Sequence, residues 1–282
     1  MTAVLDKLTE PAALYDLDED TYHADGLCPE PSLSSTMAKT ILQPAGPARL
    51  REVMLNGQAR KKEWDFGTAA HEKILNRGPK IVINDDHRNS NAYKDAKKKA
   101  DAAGELVLKT EEAASVDAMA EAILANPLAG ELLTAAAGQP EVSMFGTDEA
   151  TGRWLRGRLD FLHSRELIVD YKTTASLDTF ARDSWNFGYH IQAEHYRSLA
   201  MQLGLIDEDA NYVLIAQEKK APYLTATFSF DPALRQTAAE QIRRAIDLWD
   251  RCMALDDWPG FPPTITTLTA PKWADLTEGD TE

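Results

Sequence analysis

The sequence predicts a single α/β domain in which helices flank a mixed central β-sheet. Helical segments come first along the chain, followed by three strands joined by short turns, a helix pair, a hairpin and a long helix. The strand segments alternate polar and apolar residues, whereas the helical segments repeat apolar residues every three or four positions. Strands and helices mixed in this way are typical of a sheet covered by helices. We expect the domain to span residues 31–260, between an acidic N-terminal arm (1–30) and a Pro-containing acidic C-terminal tail (261–282).

The first half of the chain is predicted to be mainly helical. Ser34 or Ser35 suits the N-cap of its first helix, and Pro44 and Pro47 are expected to close that helix. The elements predicted here are a helix at Ser34–Leu42, a helix at Trp64–Asn76, a strand at Lys80–Ile83, and helices at 90–103 and 111–136 that are interrupted at Asn126–Pro127.

The second half opens with a predicted meander of three strands. A loop rich in turn residues (146–152) joins the first strand to the second, and His163–Glu166 joins the second to the third. The elements predicted here are strands at Glu141–Phe145, Arg153–Phe161 and Leu167–Lys172, helices at Leu177–Asn186 and Ile191–Leu203, a hairpin of Tyr212–Gln217 with Tyr223–Phe230, and a helix at Pro232–Leu255.

The composition is that of a soluble globular protein. The chain has 282 residues, of which 44% are hydrophobic and 27% are charged. No apolar run approaches the roughly 18 residues that a membrane span needs, and the first residues lack the order of a signal peptide. Cys28 and Cys252 are the only two cysteines, which is too few for a four-cysteine zinc or iron–sulfur site. We therefore expect a cytoplasmic protein that has no membrane partner.

The net charge of −15 argues at first against a nucleic-acid partner, because phosphate contacts require lysine and arginine. The charge is uneven, however. Residues 1–25 carry seven acidic residues against one lysine, and residues 273–282 carry four acidic residues and no base. Basic clusters lie between these ends, and the alternative for each is a solvated face. They comprise Arg49 and Arg51, Arg60–Lys62, Lys94 and Lys97–Lys99, and Arg153, Arg156 and Arg158.

The sequence predicts either a base-stacking or a structural role for several aromatic and histidine side chains. Trp64 and Tyr189 are candidates to stack on a nucleic-acid base, which the sequence does not decide. The residues expected to have structural roles are Trp154, Trp185, Trp249, Trp258 and Trp273, as core or packing residues, together with His163, His190 and His195.

Two aspartates and a lysine are the strongest chemical signal in the chain. Asp160 and Asp170 belong to predicted neighbouring strands, which we expect to deliver them to one edge of the sheet. Lys172 projects on the same side as Asp170, because side chains alternate along a strand. Carboxylates, with the carbonyl of Tyr171 as a further oxygen, suit Mg²⁺, and the ammonium could orient a metal-bound water. The sequence thus predicts metal-dependent phosphodiester hydrolysis; the alternative is a strand-end salt bridge.

Five segments in one order carry a family resemblance. They are Gly67–His71 on a helix, Glu141 opening a strand, Gly157–Asp160, Val169–Thr174 and Gln192–Tyr196. Together they resemble the PD-(D/E)XK nuclease superfamily, in its RecB-like branch. The C-terminal nuclease domain of phage and prophage RecE-type exonucleases (exonuclease VIII) is the most similar, over roughly residues 15–230.

The resemblance implies a role for each matching residue. His71 would complete the metal site or contact the phosphate, with a structural histidine as the alternative. Glu141 would be a further acid near the metal, or else a strand-start charge. Gln192 and Tyr196, four apart on one helical face, match a Gln-x-x-x-Tyr motif, or else make ordinary core contacts. The expected catalytic residues are Asp160, Asp170, Lys172, Glu141, Gln192 and Tyr196, and the expected metal ligands are His71, Asp160, Asp170 and Tyr171.

The resemblance also implies an activity. It predicts a Mg²⁺-dependent exonuclease, with Mn²⁺ able to substitute, that degrades linear double-stranded DNA 5′→3′ and leaves 3′ overhangs for phage-type recombination. It further implies a ring-like homo-oligomer around DNA and a single-strand annealing recombinase as partner. The alternatives are a structure-specific or single-strand endonuclease of the same fold, an inactive DNA-binding protein, or a metal-binding protein with no nucleic-acid role.

Overall fold

A computed structural model describes residues 7–24, 26–57, 62–75, 80–134 and 138–270. Its elements are β1 (Ala12–Leu14), α1 (Glu19–His23), β2 (Leu33–Ser34), α2 (Ser35–Ile41), α3 (Gly46–Asn56), α4 (Lys62–Leu75), β3 (Ile81–Ile83), α5 (Asn91–Ala102), β4 (Leu106–Leu108), α6 (Thr110–Ala125), α7 (Pro127–Leu133), β5 (Gln139–Thr147), β6 (Trp154–Ser164), β7 (Leu167–Thr174), α8 (Phe180–Asn186), α9 (Tyr189–Gln202), β8 (Asn211–Glu218), β9 (Thr225–Ser229) and α10 (Pro232–Leu255).

Some predicted features lie outside the described residues. They are the arm at 1–6, Arg60 and Lys61, the helix ends at Asn76 and at 135–136, the tail at 271–282 with Trp273, and the side chain of Trp64.

The central sheet is mixed, as the sequence predicted. Its strands lie in the order β1-β5-β6-β7-β8-β9, and β2 pairs with β6 off this path. β5, β6 and β7 form the predicted antiparallel meander, β7 and β8 are parallel, and β8 and β9 form the predicted antiparallel hairpin. A separate small sheet contains the parallel strands β3 and β4. The mixed α/β fold with a central, mostly antiparallel sheet flanked by helices is therefore confirmed.

Strands β6 and β7 separate in the middle of the sheet. Their pairing runs from the turn only as far as Phe161 and Val169. Further back along β6, Leu155 and Arg156 pair instead with the short parallel strand β2. Residues 157–160 of β6 therefore face a notch, defined here as the gap between β7 and β2. The candidate carboxylates lie in this notch inside the sheet, and the expectation that they lie at a sheet edge was wrong.

Helices cover both faces of the sheet. One core packs α2, α9 and α10 against it and includes the fully buried Trp249. The other core lies under α4, α6 and α7 and includes the buried Tyr171. Trp154 and Trp249 are buried in the core, as expected, whereas Trp185 is 52% exposed and packs by stacking on His190. Among the described helices, none is long and apolar enough to cross a membrane.

The first half contains elements that the sequence did not predict. α2 ends at Ile41, ahead of Pro44 as expected, whereas Pro47 lies in the first turn of α3, where its nitrogen needs no hydrogen-bond partner. Gly46 is required at this start, because an added Cβ would clash with the backbone of Ile41. Strand β4 was not predicted, since three apolar residues carry too little periodicity.

The residues that precede the expected domain also join the fold. Strand β1 pairs with β5 in antiparallel fashion, and Leu17, Tyr22 and Cys28 are buried in a small apolar cluster. The boundaries at residues 30 and 260 stay a prediction.

Candidate active site

Asp160 lies where β6 faces the notch. Its side chain makes the hydrogen bond to β7 that backbone pairing between the two strands would otherwise make. Its Oδ2 accepts a hydrogen bond of 2.9 Å from the backbone N–H of Tyr171 on β7. The backbone groups of a buried strand need partners, so this carboxylate satisfies a donor that the diverging strands leave unpaired. Asp160 is thereby fixed beside Asp170 and Lys172 of β7.

Asp170 is fully buried at the centre of the cluster. Its Oδ1 accepts hydrogen bonds from Gln192 Nε2 at 2.8 Å and from the Tyr212 hydroxyl at 2.9 Å. Its Oδ2 lies 2.5 Å from Lys172 Nζ. This oxygen receives no well-aligned hydrogen bond from any described residue. Burial raises the pKa of Asp170, the like charge of Asp160 adds to the rise, and Lys172 opposes it.

Lys172 bridges the two aspartates. Its Nζ lies 2.5 Å from Asp170 Oδ2 and 3.9 Å from Asp160 Oδ2. Burial alone would lower the pKa of Lys172, but the charges of Asp170 and Asp160 raise it. The lysine is therefore a fixed cation, held within 5.4 Å of the centre of the Tyr189 ring.

His71 reaches the same cluster from α4. Its Nδ1 lies 3.5 Å from Asp160 Oδ2, and its ring packs edge-on against Tyr171 at a centroid distance of 4.9 Å. The structure thus brings together the histidine, both aspartates and the lysine, although they come from three separate elements.

Glu141 lies on β5 and is held by an arginine. Arg158 Nε donates to Glu141 Oε2 at 2.6 Å. Glu141 itself has a left-handed backbone (φ +55°) and is left out of the pairing between β5 and β6. Burial raises the pKa of Glu141 to about 7, and the charge of Asp160 contributes. Glu141 therefore lies within electrostatic reach of Asp160, in a second pair beside the lysine cluster.

Gln192 and Tyr196 have different surroundings on α9. Gln192 contacts Asp170 directly. Tyr196 instead lies over the notch, where its hydroxyl accepts from Ser35 Oγ at 3.4 Å. A Cβ added to Gly157 would lie 2.8 Å from the Tyr196 ring, so the glycine makes room for it. In this structure Tyr196 packs on β6 and Gln192 positions a carboxylate.

Sequence reasoning missed two members of the cluster. Tyr212, on β8, bonds Asp170 from across the sheet, and no short-range pattern indicates this contact. Lys39, on α2, packs its aliphatic chain against Gly188. Burial lowers the pKa of Lys39 to about 8, and the nearby charge of Lys172 adds to the effect. Lys39 is thus a second buried lysine within electrostatic range of Lys172 and Asp170.

The cluster has the donor chemistry of a divalent-cation site without a preformed cage. Within the described residues, no group of three or more His, Cys, Asp or Glu side chains is arranged to hold a metal ion. The buried Asp170 Oδ2 nevertheless has no aligned donor, and a second carboxylate lies beside the same lysine. Oxygen ligands of this kind suit Mg²⁺, which keeps several waters and needs few protein ligands. The residues therefore fit such an ion.

The fold and this cluster belong to a chain of the PDDEXK-like class. The family model described as "PDDEXK-like domain of unknown function (DUF3799)" matches residues 34–265, and the chain belongs to this family.

Two solved structures are similar to the chain. One is a "putative exonuclease" from Eubacterium rectale, with a TM-score of 0.56 and 15% identity over 88% of this chain and 94% of that one. The other is a phage related exonuclease from Haemophilus somnus 129PT, with 15% identity over 68% of this chain and 96% of that one. Its TM-score of 0.31 is too low to support a conclusion. The first likeness supports the fold alone. Among curated proteins, none matches the chain.

Proposed function

We propose that this protein is a Mg²⁺-dependent deoxyribonuclease that degrades linear double-stranded DNA from its ends. The observation that carries the proposal is the cluster of Asp160, Asp170 and Lys172 in the notch between β7 and β2. Two carboxylates and a cation that converge on one buried point are suited to phosphodiester hydrolysis. Family membership supports the nuclease reading, because the family is named for this residue set.

The proposed roles follow from the contacts. Asp160 and Asp170, with the carbonyl of Tyr171 and with His71, would hold the ion. The ion would supply Lewis-acid stabilisation of the charge that develops on the phosphate. Lys172 would orient the attacking water and offset charge on the phosphate oxygens. Gln192 and Tyr212 fix the Asp170 carboxylate, so the lysine has one defined direction.

The finer features of the proposal rest on the resemblance to RecE-type exonucleases. They are 5′→3′ polarity, 3′ overhangs for phage-type recombination, Mn²⁺ as a substitute ion, a homo-oligomeric ring, a single-strand annealing partner and a cytoplasmic, phage or prophage setting. A ring is also consistent with the charge, because an acidic exterior can coexist with a basic channel that faces DNA.

One observation favours a second candidate, an inactive DNA-binding protein. The described residues lack a preformed group of three metal ligands. An inactive relative would retain the fold and the basic residues but would not turn over DNA.

The decisive experiment is digestion of a linear duplex that carries distinct labels at its 5′ and 3′ ends, with closed circular DNA alongside. We expect Mg²⁺-dependent loss of the 5′ label first, no change in the circle and no reaction in EDTA. Lys172→Ala should abolish cleavage, while Lys80→Ala, which changes an exposed lysine, should not. A cut circle would indicate an endonuclease, and binding without cleavage by the unmodified protein would favour the second candidate.

A further inference from the structure

Two large aromatic side chains are exposed beside the candidate active site. Trp185 is 52% exposed and Phe187 is 61% exposed. They lie at the end of α8 and in the turn that leads into α9. We call this pair the aromatic shelf. Tryptophan and phenylalanine are mostly buried in folded proteins, so the exposure of one of each on the same tight turn needs a physical explanation.

The aromatic shelf is held rigidly. The backbone N–H of Phe187 donates to Asp183 O at 2.8 Å, and that of Gly188 donates to Trp185 O at 2.9 Å. The Trp185 ring stacks on His190 at a centroid distance of 4.5 Å and an interplanar angle of 5°. His190 is held in turn by Gln241 at 2.9 Å. One face of the indole is therefore fixed while the residue stays half exposed, which suits a surface that accepts a flat ring at little entropic cost.

A row of rings joins the aromatic shelf to the reactive cluster. Phe187 lies 5.8 Å from Tyr189 between ring centroids, and Tyr189 lies 5.4 Å from Lys172 Nζ. Gly188, between the two rings, has φ +65° and receives the aliphatic chain of Lys39. The row thus has exposed aromatic faces at one end and two lysines at the other.

This arrangement matches the chemistry of a single nucleic-acid strand. Proteins bind unpaired strands by pairing cations with the backbone and by stacking bases on aromatic rings, and the stacking tolerates any sequence. The local acid Asp183 is already bound to Thr179 and Arg182, which limits its repulsion of phosphates.

We propose that the aromatic shelf stacks on unpaired bases of the DNA strand whose phosphate lies at Lys172. The preferred substrate would then be a DNA end with unpaired nucleotides next to the scissile bond, rather than a fully paired duplex. The inference rests on the proposed function, because it takes the lysine cluster as the place where the phosphate lies.

The test uses the full chain and measures binding separately from cleavage. Duplexes carry a single-stranded thymidine overhang, or an overhang of the same length with abasic sugars. Affinity is measured by fluorescence anisotropy in EDTA and in calcium, and cleavage is measured in magnesium. The variants are Trp185→Ala, Phe187→Ala and Trp185→Phe. Phe261→Ala is the matched control, because this phenylalanine is 69% exposed in the segment that follows α10.

We expect each alanine variant at the shelf to bind the thymidine overhang about fivefold to about 150-fold more weakly, which corresponds to about 1–3 kcal/mol per stacked base. Binding of the abasic overhang should not change, Trp185→Phe should retain most of the affinity, and Phe261→Ala should match the unmodified protein. Faster cleavage of the thymidine overhang than of a blunt duplex, lost in the alanine variants, would complete the support.

The outcomes separate the two proposals. If the unmodified protein cleaves DNA and the alanine variants bind and cleave both substrates normally, the stacking proposal is wrong and the nuclease proposal stands. If the unmodified protein prefers thymidine overhangs through the shelf but never cleaves, the stacking proposal stands and the nuclease proposal fails. A variant that only dissociates a homo-oligomer, with unchanged DNA affinity, would assign the shelf to contact between copies and overturn the stacking proposal.

Discussion

His195 provides a quantitative test of the structure. The imidazole is fully buried on α9, and its Nε2 lies 2.9 Å from the carbonyl oxygen of Arg156 on β6. Burial lowers its pKa from 6.5 to about 4, although the bond to Arg156 opposes the change. A neutral ring donates this hydrogen bond through Nε2, so protonation adds a charge that the site cannot solvate.

The sign of the pH effect follows from linkage. The pKa of His195 is lower in the folded state, so its contribution to stability is complete above about pH 6.5. It is lost as the pH falls from about 6.5 to about 4. The full difference in pKa corresponds to about 3.4 kcal/mol at 1.36 kcal/mol per unit. Between about pH 7.5 and about pH 5, the same two pKa values give a loss of about 2 kcal/mol.

The assay is urea denaturation of the unmodified protein and of His195→Gln at both pH values. Glutamine keeps a donor for the Arg156 carbonyl and does not titrate. We expect the difference in unfolding free energy between the two proteins to shift by about 2 kcal/mol toward the variant at the lower pH. His87→Gln, at an exposed position, controls for the loss of one imidazole. A difference that stays constant between the two pH values would show that protonation of His195 does not destabilise the folded protein.

Three further predictions concern the notch. Lys172→Met should lower the unfolding free energy in EDTA by about 3–5 kcal/mol, because the Asp170 carboxylate stays buried without its cation. Adding Asp170→Asn should recover most of that loss in denaturation experiments, and a double variant as unstable as the single one would contradict the ion-pair reading. Gly157→Ala should lower the unfolding free energy by about 1–3 kcal/mol, because the added methyl group overpacks against the Tyr196 ring. Gly67→Ala, where a Cβ meets only ordinary contacts, should not destabilise its helix. Saturating Mg²⁺ should raise the melting temperature of the unmodified protein, since a ligand that binds the folded state stabilises it; the same rise in Asp160→Ala would exclude the notch as the ion site.

Local patterns were sufficient to predict several parts of the site. Strand alternation places Asp170 and Lys172 on one side of β7, and a four-residue helical spacing directs Gln192 toward the sheet. The turn at 163–166 returns β7 beside β6, which brings Asp160 opposite Asp170. Each inference needs only the geometry of one element or one turn, and the contacts at the cluster agree with it.

What the sequence did not predict depends on contacts distant along the chain. The separation of β6 from β7 requires a two-residue strand from far upstream, and so short a segment has no periodicity to detect. Tyr212 and Lys39 join the cluster only because β8 and α2 pack where they do. Trp185 was predicted to be a core or packing residue; it packs on His190, but its half-exposure depends on which elements cover the ring, and the residue type does not determine that.

Strand β1 protects a vulnerable surface. Its three residues pair with Ser143–Phe145 of the nine-residue strand β5, which otherwise forms the outer strand of the sheet on that side. An uncovered strand of this length offers unpaired N–H and C=O groups to other chains. A shortened protein that begins after Tyr15 should therefore retain its reactive cluster, which lies deeper in the sheet, yet self-associate through β5. By pairing with β5, the N-terminal segment would then prevent aggregation through that strand.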